Sequence, residues 1–115
     1  MQKFTKFIVG ADPRVELKEA LNLTGCEISH NRLFAGQSVP FFHAHKENEE
    51  IYIFLEGEGA IELDGEKIPV AANTFVRVSP PVMRKMHATT DLRYLCVQVK
   101  ENSLSQWTKE DSIYG

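Results

Sequence analysis

Residues 36–59 read GQSVPFFHAHKENEEIYIFLEGEG, and this stretch carries both the chemistry and the turn signals that decide the fold. His43 and His45 are separated by one residue, so both imidazoles point to the same side of an extended backbone. Glu50 follows at the start of a run rich in Ile, Tyr and Phe, and its carboxylate can fold back toward the same point. Imidazole nitrogen and carboxylate oxygen are ligands of Fe, Mn, Ni and Zn. These three side chains therefore predict a site for a divalent transition metal whose identity stays open.

Turn signals divide the chain around this stretch into short strands. Asp64-Gly65 is a two-residue hairpin signal with a strong preference for positive φ. Pro40 argues for an edge or a loop just before the histidines. Roughly seven or eight strands spaced by about 8 to 12 residues are typical of an all-β sandwich or barrel. We predict the strands at 27–35, 50–55, 60–63, 66–70, 74–78, 84–88 and 92–99.

The two ends of the chain flank this β region. Asp12-Pro13 is a helix-start signal, because proline at the first helical position loses no hydrogen bond, and it predicts a short helix over 15–21. We expect residues 1–25 to form this helix and an arm that contacts a partner subunit. The tail, 100–115, is expected to pack over the barrel or to reach a partner. The whole chain, 1–115, is then one domain with its barrel core at about 26–99.

Composition excludes several classes of function. The net charge is −3, with acids and bases interspersed, so no basic patch favours nucleic acid. No apolar run approaches the roughly 18 residues of a membrane span, and the basic start meets Asp12-Pro13 before a signal peptide can form. We therefore expect a cytoplasmic protein with no membrane partner. Cys26 and Cys96 form no CxxC pair and read as two buried, reduced thiols.

The chain contains a set of residues that resembles the first signature of the cupin superfamily at nearly the same spacing, namely Gly36, His43, His45, Glu50 and Gly57. The chain has six residues between Gly36 and His43, where that signature usually has five. The resemblance covers about 26–99. It implies a double-stranded β-helix, or jelly-roll, with a pocket inside the barrel. Such barrels often hold a divalent transition metal and commonly form homodimers.

The second signature of that family, P-x-G-x-x-H, falls on residues 80–87, where the chain departs from it. Val82 stands at the glycine position, and the histidine position holds Lys85 or, with a slip of one, Arg84. His87 lies on the same side as Lys85 in an extended strand, and a bulge after the second proline would bring it to the site. Two alternatives stay open. Either His87 is the fourth metal ligand, or Arg84 or Lys85 holds an anionic ligand at the mouth.

Strand alternation sorts the remaining candidates. Glu50 is favoured over Glu49, because Glu49 faces the other side of the strand. Tyr52 and Phe54 share the side of Glu50 and would give the pocket an apolar wall. His30 reads more readily as a surface or satisfied core residue than as a pocket residue.

Two functions are consistent with these residues. The first is a metal-dependent enzyme of dioxygenase, isomerase or lyase type, acting on a small organic molecule, since two histidines and one carboxylate are typical of non-haem iron sites. The second is a non-catalytic barrel with an incomplete metal site that binds a small molecule or anion. Catalytic residues and the substrate are left open. The metal ligands would be His43, His45, Glu50 and His87, and the pocket residues Tyr52, Phe54, Arg84 and Lys85.

Overall fold

The computed structural model describes residues 2–115, and it consists of two antiparallel β-sheets with the core between them. The larger sheet has five strands in the order β1-β2-β8-β3-β6, and the smaller has three in the order β5-β4-β7. The fold is nearly all β with one short helix, which confirms the predicted class. The elements along the chain are β1 (Arg14–Glu16), α1 (Lys18–Leu21), β2 (Glu27–Leu33), β3 (Asn48–Glu56), β4 (Glu58–Leu63), β5 (Glu66–Ala71), β6 (Phe75–Val78), β7 (Arg84–Ala88) and β8 (Leu92–Lys100).

The core follows from the alternation of side chains along each strand. In β3, Tyr52 and Phe54 point inward and are 5% and 1% exposed, whereas Ile53 between them is only half-buried. Ile61 of β4 and Leu92 of β8 meet them from the two sheets. Because apolar area removed from water stabilises the folded state by about 25 cal/mol per Å², this shared interior holds the two sheets together.

Two turns show why glycine stands where it does. Asp64 and Gly65 have φ values of 47° and 87°, as the predicted two-residue hairpin between β4 and β5 requires. Gly57 separates β3 from β4 with a φ of 89°, and a Cβ placed there would overlap the backbone carbonyl oxygen of Asp91. This position therefore needs glycine both for its backbone conformation and for the close approach of the neighbouring chain.

The predicted helix over 15–21 is wrong in its first half. Val15 pairs with His30 in the sheet, so the chain is a strand until Glu16 and helical only over Lys18–Leu21. The carboxylate of Glu27 accepts hydrogen bonds from the backbone N–H groups of Leu17 and Lys18 at 3.1 and 2.7 Å, and thus caps the helix from outside. Long-range pairing has overridden a local start signal.

The segment between β2 and β3 is a loop, in agreement with the prediction from Pro40. Backbone hydrogen bonds attach this loop to β7. Val39 N–H donates to the carbonyl oxygen of Met86 at 2.9 Å. Beyond Lys100 the chain forms no further strand or helix, and every residue from Asn102 onward is exposed, so the tail does not pack over the barrel. Within residues 2–115, no helix is long and apolar enough to cross a membrane.

Candidate metal centre

The acid of the site is Glu50, as the spacing favoured. Alternation along β3 turns Glu50 inward, where it is 4% exposed, and turns Glu49 to the opposite face. There the Glu49 carboxylate accepts a hydrogen bond from Arg77 Nε at 2.6 Å. Glu49 thus belongs to a surface ion pair, and Glu50 belongs to the interior.

The backbone around His43 and His45 is held by the start of β7. His43 and Arg84 exchange two backbone hydrogen bonds of 3.1 and 2.9 Å, and His45 N–H donates to the carbonyl oxygen of Pro80 at 2.9 Å. These contacts aim both imidazoles at Glu50. The predicted convergence of two imidazoles and one carboxylate is present in the structure.

The spacing of the three side chains suits a metal ion. His45 Nε2 lies 3.0 Å from Glu50 Oε2, and His43 Nε2 lies 3.7 Å from Glu50 Oε1. Ligand bonds of about 2.0–2.2 Å place neighbouring donor atoms about 3.0–3.5 Å apart. The His45 contact lies in this range, the His43 contact is slightly longer, and one ligand atom from each of the three residues lies within 4.8 Å of the others. In addition, His43 Nδ1 is buried without a hydrogen-bond partner among residues 2–115. No group of these residues therefore fixes the tautomer of this imidazole through Nδ1. The donor set therefore fits a divalent transition metal.

Glu50 is ionised at neutral pH although it is buried. Burial raises its pKa, because it penalises the charged form. Interactions with His43 and Tyr52 act in the opposite direction and prevail, with further help from Cys96 and His45. The pKa of Glu50 consequently lies well below the usual range for a glutamate, and the carboxylate is available as an anionic ligand.

Arg84 occupies the place where the family resemblance suggested a fourth ligand. It is 1% exposed, and Nη1 donates to Glu50 Oε1 at 2.9 Å. Its other nitrogens donate to backbone carbonyl oxygens of residues 79–82 at 2.8 to 3.0 Å. The anion that Arg84 holds is therefore Glu50 itself. This differs from the predicted role at the mouth, because the guanidinium is enclosed and each of its nitrogens already has a partner.

The structure does not bring His87 to the other three residues. Its Nδ1 lies 2.6 Å from Ser38 Oγ and its Nε2 lies 2.8 Å from Glu62 Oε1, on the outer face of the smaller sheet. The register between β4 and β7 runs without interruption from Arg84 to Ala88, so the bulge that would have turned His87 inward does not occur. With Arg84 pointing in, alternation sends His87 out.

The other predicted pocket residues differ in where they lie. Tyr52 lines the cavity next to the site and donates a hydrogen bond of 2.6 Å to Glu50 Oε1. Lys85 also borders the cavity, but its ammonium sits 5.1 Å from the centre of the Phe42 ring. Phe54 belongs to the closed core and does not border the cavity. His30 is buried on the outer face of the larger sheet, where burial and the charges of neighbouring arginines lower its pKa.

The three candidate ligand side chains line a cavity of about 560 Å³ between the sheets. Most of its wall is apolar, formed by side chains such as Val39, Ile61 and Met86. Polar groups enter from the larger sheet, from the loop that carries His43 and His45, and from Arg84 and Lys85 at the start of β7. A cavity of this size matches those that hold small organic molecules in proteins.

Sequence reasoning missed several residues that border this cavity. Arg14 stands just before the predicted helix, and Asn31 and Tyr94 lie in predicted strands, and the sequence indicates no role for any of the three. Cys96, predicted to be a buried reduced thiol, also lines the cavity, and burial and the charge of Glu50 raise its pKa. The alternation of β8 is the signal that would have found Tyr94 and Cys96, because both share the inward side with the core residue Leu92.

Fold and site together define a small β-barrel protein with an internal cavity that is lined in part by a candidate metal centre. The Cupin_2 family (Cupin domain) matches residues 32–98 of the chain. A cupin protein of known structure from Bacteroides fragilis is 44% identical, covers 100% of this chain and 99% of its own, and superposes with a TM-score of 0.95. The chain therefore belongs to the cupin family.

More distant structures share the same barrel. A predicted oxalate decarboxylase from Thermotoga maritima is 28% identical over 76% of this chain and 78% of its own, with a TM-score of 0.66. A salicylate 1,2-dioxygenase from Pseudoaminobacter salicylatoxidans is 19% identical over 65% of this chain and 21% of its own, with a TM-score of 0.61, and this similarity shows the fold alone. None of the curated proteins compared with the chain matches it.

Proposed function

We propose that this cupin binds a divalent transition metal through His43, His45 and Glu50 and presents it to a small organic molecule in the cavity. The observation that carries the proposal is the convergence of these three donors, one of them a buried carboxylate, on the lining of one cavity. The similarity to a predicted oxalate decarboxylase supports an enzymatic role. When bound, such a metal supplies Lewis-acid or redox chemistry at coordination positions that the protein leaves open.

The protein's own residues prepare the centre. Tyr52 and Arg84 both donate to Glu50 Oε1, at 2.6 and 2.9 Å, and so leave Oε2 as the oxygen that faces His45. The carboxylate is thereby fixed in one orientation before any ligand arrives. The apolar walls keep water away from the molecule that occupies the cavity.

Metal analysis of protein purified without a His tag tests the proposal. We expect near-stoichiometric Fe, Mn, Ni or Zn in the wild type and its loss in the His43→Ala/His45→Ala double variant. His87→Ala is the matched control, because His87 faces outward and pairs with Ser38 and Glu62. It should retain the metal. Metal-free wild-type protein that also fails to take up these ions by titration would contradict the proposal.

A second candidate function is supported by Arg84. Its guanidinium places a positive charge 2.9 Å from Glu50 at the position where the family would supply another ligand. This charge opposes a dication and favours a barrel that binds its small molecule without metal. Binding of a small molecule by chelator-treated protein, with an affinity that added metal does not change, would support this candidate instead.

A further inference from the structure

One end of the cavity carries a row of polar side chains that the metal centre does not use. Arg14, Asn31 and Tyr94 are register partners across β1, β2 and β8, and all three line the cavity. Arg14 Nη1 donates to Asn31 Oδ1 at 3.0 Å, and Asn31 Nδ2 donates to Ser29 Oγ at 2.9 Å. Asn31 and Ser29 are 5% and 3% exposed, so this chain of hydrogen bonds fixes the guanidinium from a buried base.

Tyr94 offers a donor with nothing in the protein to receive it. The residue is 6% exposed, and none of residues 2–115 forms a hydrogen bond with its hydroxyl. The hydroxyl oxygen is not one of the fully buried polar atoms that lack a partner, so it is accessible from the cavity. The cavity is the space that this side chain borders. An acceptor carried by a bound molecule would complete it.

Arg14 is the cation at this end with hydrogen-bonding capacity left. Glu16 Oε1 accepts from its Nε and Nη2 at 3.3 Å, and Asn31 takes one hydrogen of Nη1, which leaves N–H groups on both terminal nitrogens. Burial raises the pKa of Tyr94 most, Cys96 and the Glu50 charge raise it further, and the Arg14 charge acts in the opposite direction, so the phenol lies within reach of both Arg14 and Glu50. Arg84 is saturated by Glu50 and carbonyl oxygens.

Arg14 is the member of the row farthest from the metal centre, because β2 and β8 separate β1 from β3. The Tyr94 ring lies between Arg14 and the metal centre, 6.1 Å from the ring of Tyr52 between centroids, although its backbone position is more distant from Glu50. Tyr94 pairs across the sheet with Phe54, and Phe54 lies four residues along β3 from Glu50, which corresponds to about 13 Å. Side chains reach into this gap from both ends, and its walls are apolar, with Ile61 and Met86 among them. A molecule that fills it needs an acceptor at one end, an apolar body, and a metal-facing end.

We propose that the cavity binds organic monocarboxylates, with the carboxylate on Arg14 and Tyr94 and the apolar body directed toward His43, His45 and Glu50. A guanidinium and a phenol donor are complementary to a carboxylate, and charge-assisted hydrogen bonds are about twice as strong as neutral ones. This inference rests on the proposed binding of a small molecule in the cavity and names its class.

The experiment compares matched acids and amides that differ only in charge at one end. Hexanoate against hexanamide, and phenylacetate against phenylacetamide, are titrated by calorimetry into chelator-treated and Zn²⁺-loaded protein. We expect the wild type to bind each acid at least ~10-fold more tightly than its amide. Arg14→Gln should reduce this preference to within ~2-fold, and Tyr94→Phe should weaken acid binding by about 3-fold. Arg77→Gln is the matched control, because Arg77 is an exposed arginine on β6 away from the cavity.

The outcomes separate this inference from the proposed function. Equal affinity for acid and amide, an undiminished preference in Arg14→Gln, or no binding of either probe by the wild type overturns the inference. A protein that prefers the acids yet holds no metal supports the inference, and only the proposed function then fails. A protein that binds metal through His43 and His45 but binds acid and amide equally well supports the proposed function and overturns the inference. Far-ultraviolet circular dichroism of each variant verifies that the fold is retained.

Discussion

At the scale of single residues, the pair of Arg84 and Glu50 organises the centre. Both side chains are almost fully buried, and their charges lie 2.9 Å apart. A buried pair of this kind owes its stability to mutual neutralisation, because each charge alone would lie in a medium that solvates it poorly. The guanidinium thus fixes the carboxylate that the two histidines face.

Removing one partner of this pair should be costly. Arg84→Met leaves the Glu50 carboxylate buried without its counter-charge, and we expect the free energy of unfolding to fall by about 3–5 kcal/mol. Urea denaturation measures this loss. The Glu50→Gln/Arg84→Met double variant should be more stable than Arg84→Met alone, since a neutral amide replaces the unpaired charge. A double variant less stable than the single one would contradict this account.

An exposed ion pair serves as the control for that substitution. Arg77 contacts Glu49 and Glu101 at 2.6 and 2.8 Å, but its side chain is 52% exposed. Water screens such pairs, so Arg77→Met should leave the urea midpoint nearly unchanged. The contrast between the two arginines tests whether burial, rather than ion pairing itself, decides the cost.

At the scale of elements, the turn from β3 to β4 depends on the absence of a side chain at Gly57. Gly57→Ala adds a Cβ that overlaps the backbone of Asp91 at a positive φ, whereas Gly36→Ala meets a similar φ with open space around it. Strain from φ alone costs about 1–2 kcal/mol. We expect Gly57→Ala to lose about 2 kcal/mol more than Gly36→Ala in urea unfolding, because forcing extra atoms into a packed site adds about 1–3 kcal/mol.

Elements were predictable wherever local pattern and long-range pairing agreed. The alternation around Tyr52 and Phe54 and the Asp64-Gly65 turn sufficed for the strands of the barrel. The helix start predicted from Asp12-Pro13 was wrong, because strand β1 exists only through its pairing with β2. Local sequence signals carry no information about such a distant partner. The same limit applied to the site. His43, His45 and Glu50 lie within one stretch, so their spacing alone predicts that they converge. The ion pair between Arg84 and Glu50 could not be predicted in this way, because it depends on the register of β7.

At the scale of the whole molecule, the chain is more extended than a compact domain. Its radius of gyration is 15.5 Å, against about 13 Å expected for 115 residues. Phe4 and Ile8 in the N-terminal arm are 79% and 78% exposed. The outer face of the larger sheet adds Ile53 and the 67% exposed Phe75, which pair across β3 and β6. Exposed apolar surface of this extent is typical of interaction sites.

The homodimer expected from the sequence stays a prediction, and these surfaces indicate how to test it. We expect light scattering after gel filtration to give about twice the 13.1 kDa of one chain. Phe75→Glu should shift the protein to monomer, because a charge would be buried in an apolar interface. Phe34→Glu is the control, since Phe34 is 62% exposed but lies beyond the end of β2. A monomeric wild type would contradict the prediction.

The enclosed guanidinium of Arg84 has one more consequence, which concerns the order of assembly. In many metalloproteins the ion itself neutralises the acids that bind it, and the apoprotein unravels without it. Here a permanent internal cation already balances the buried acid, so the chain can mature fully before it meets any ion. Under the proposed function, we expect the metal to load after folding, to an extent set by the supply of metal in the surroundings.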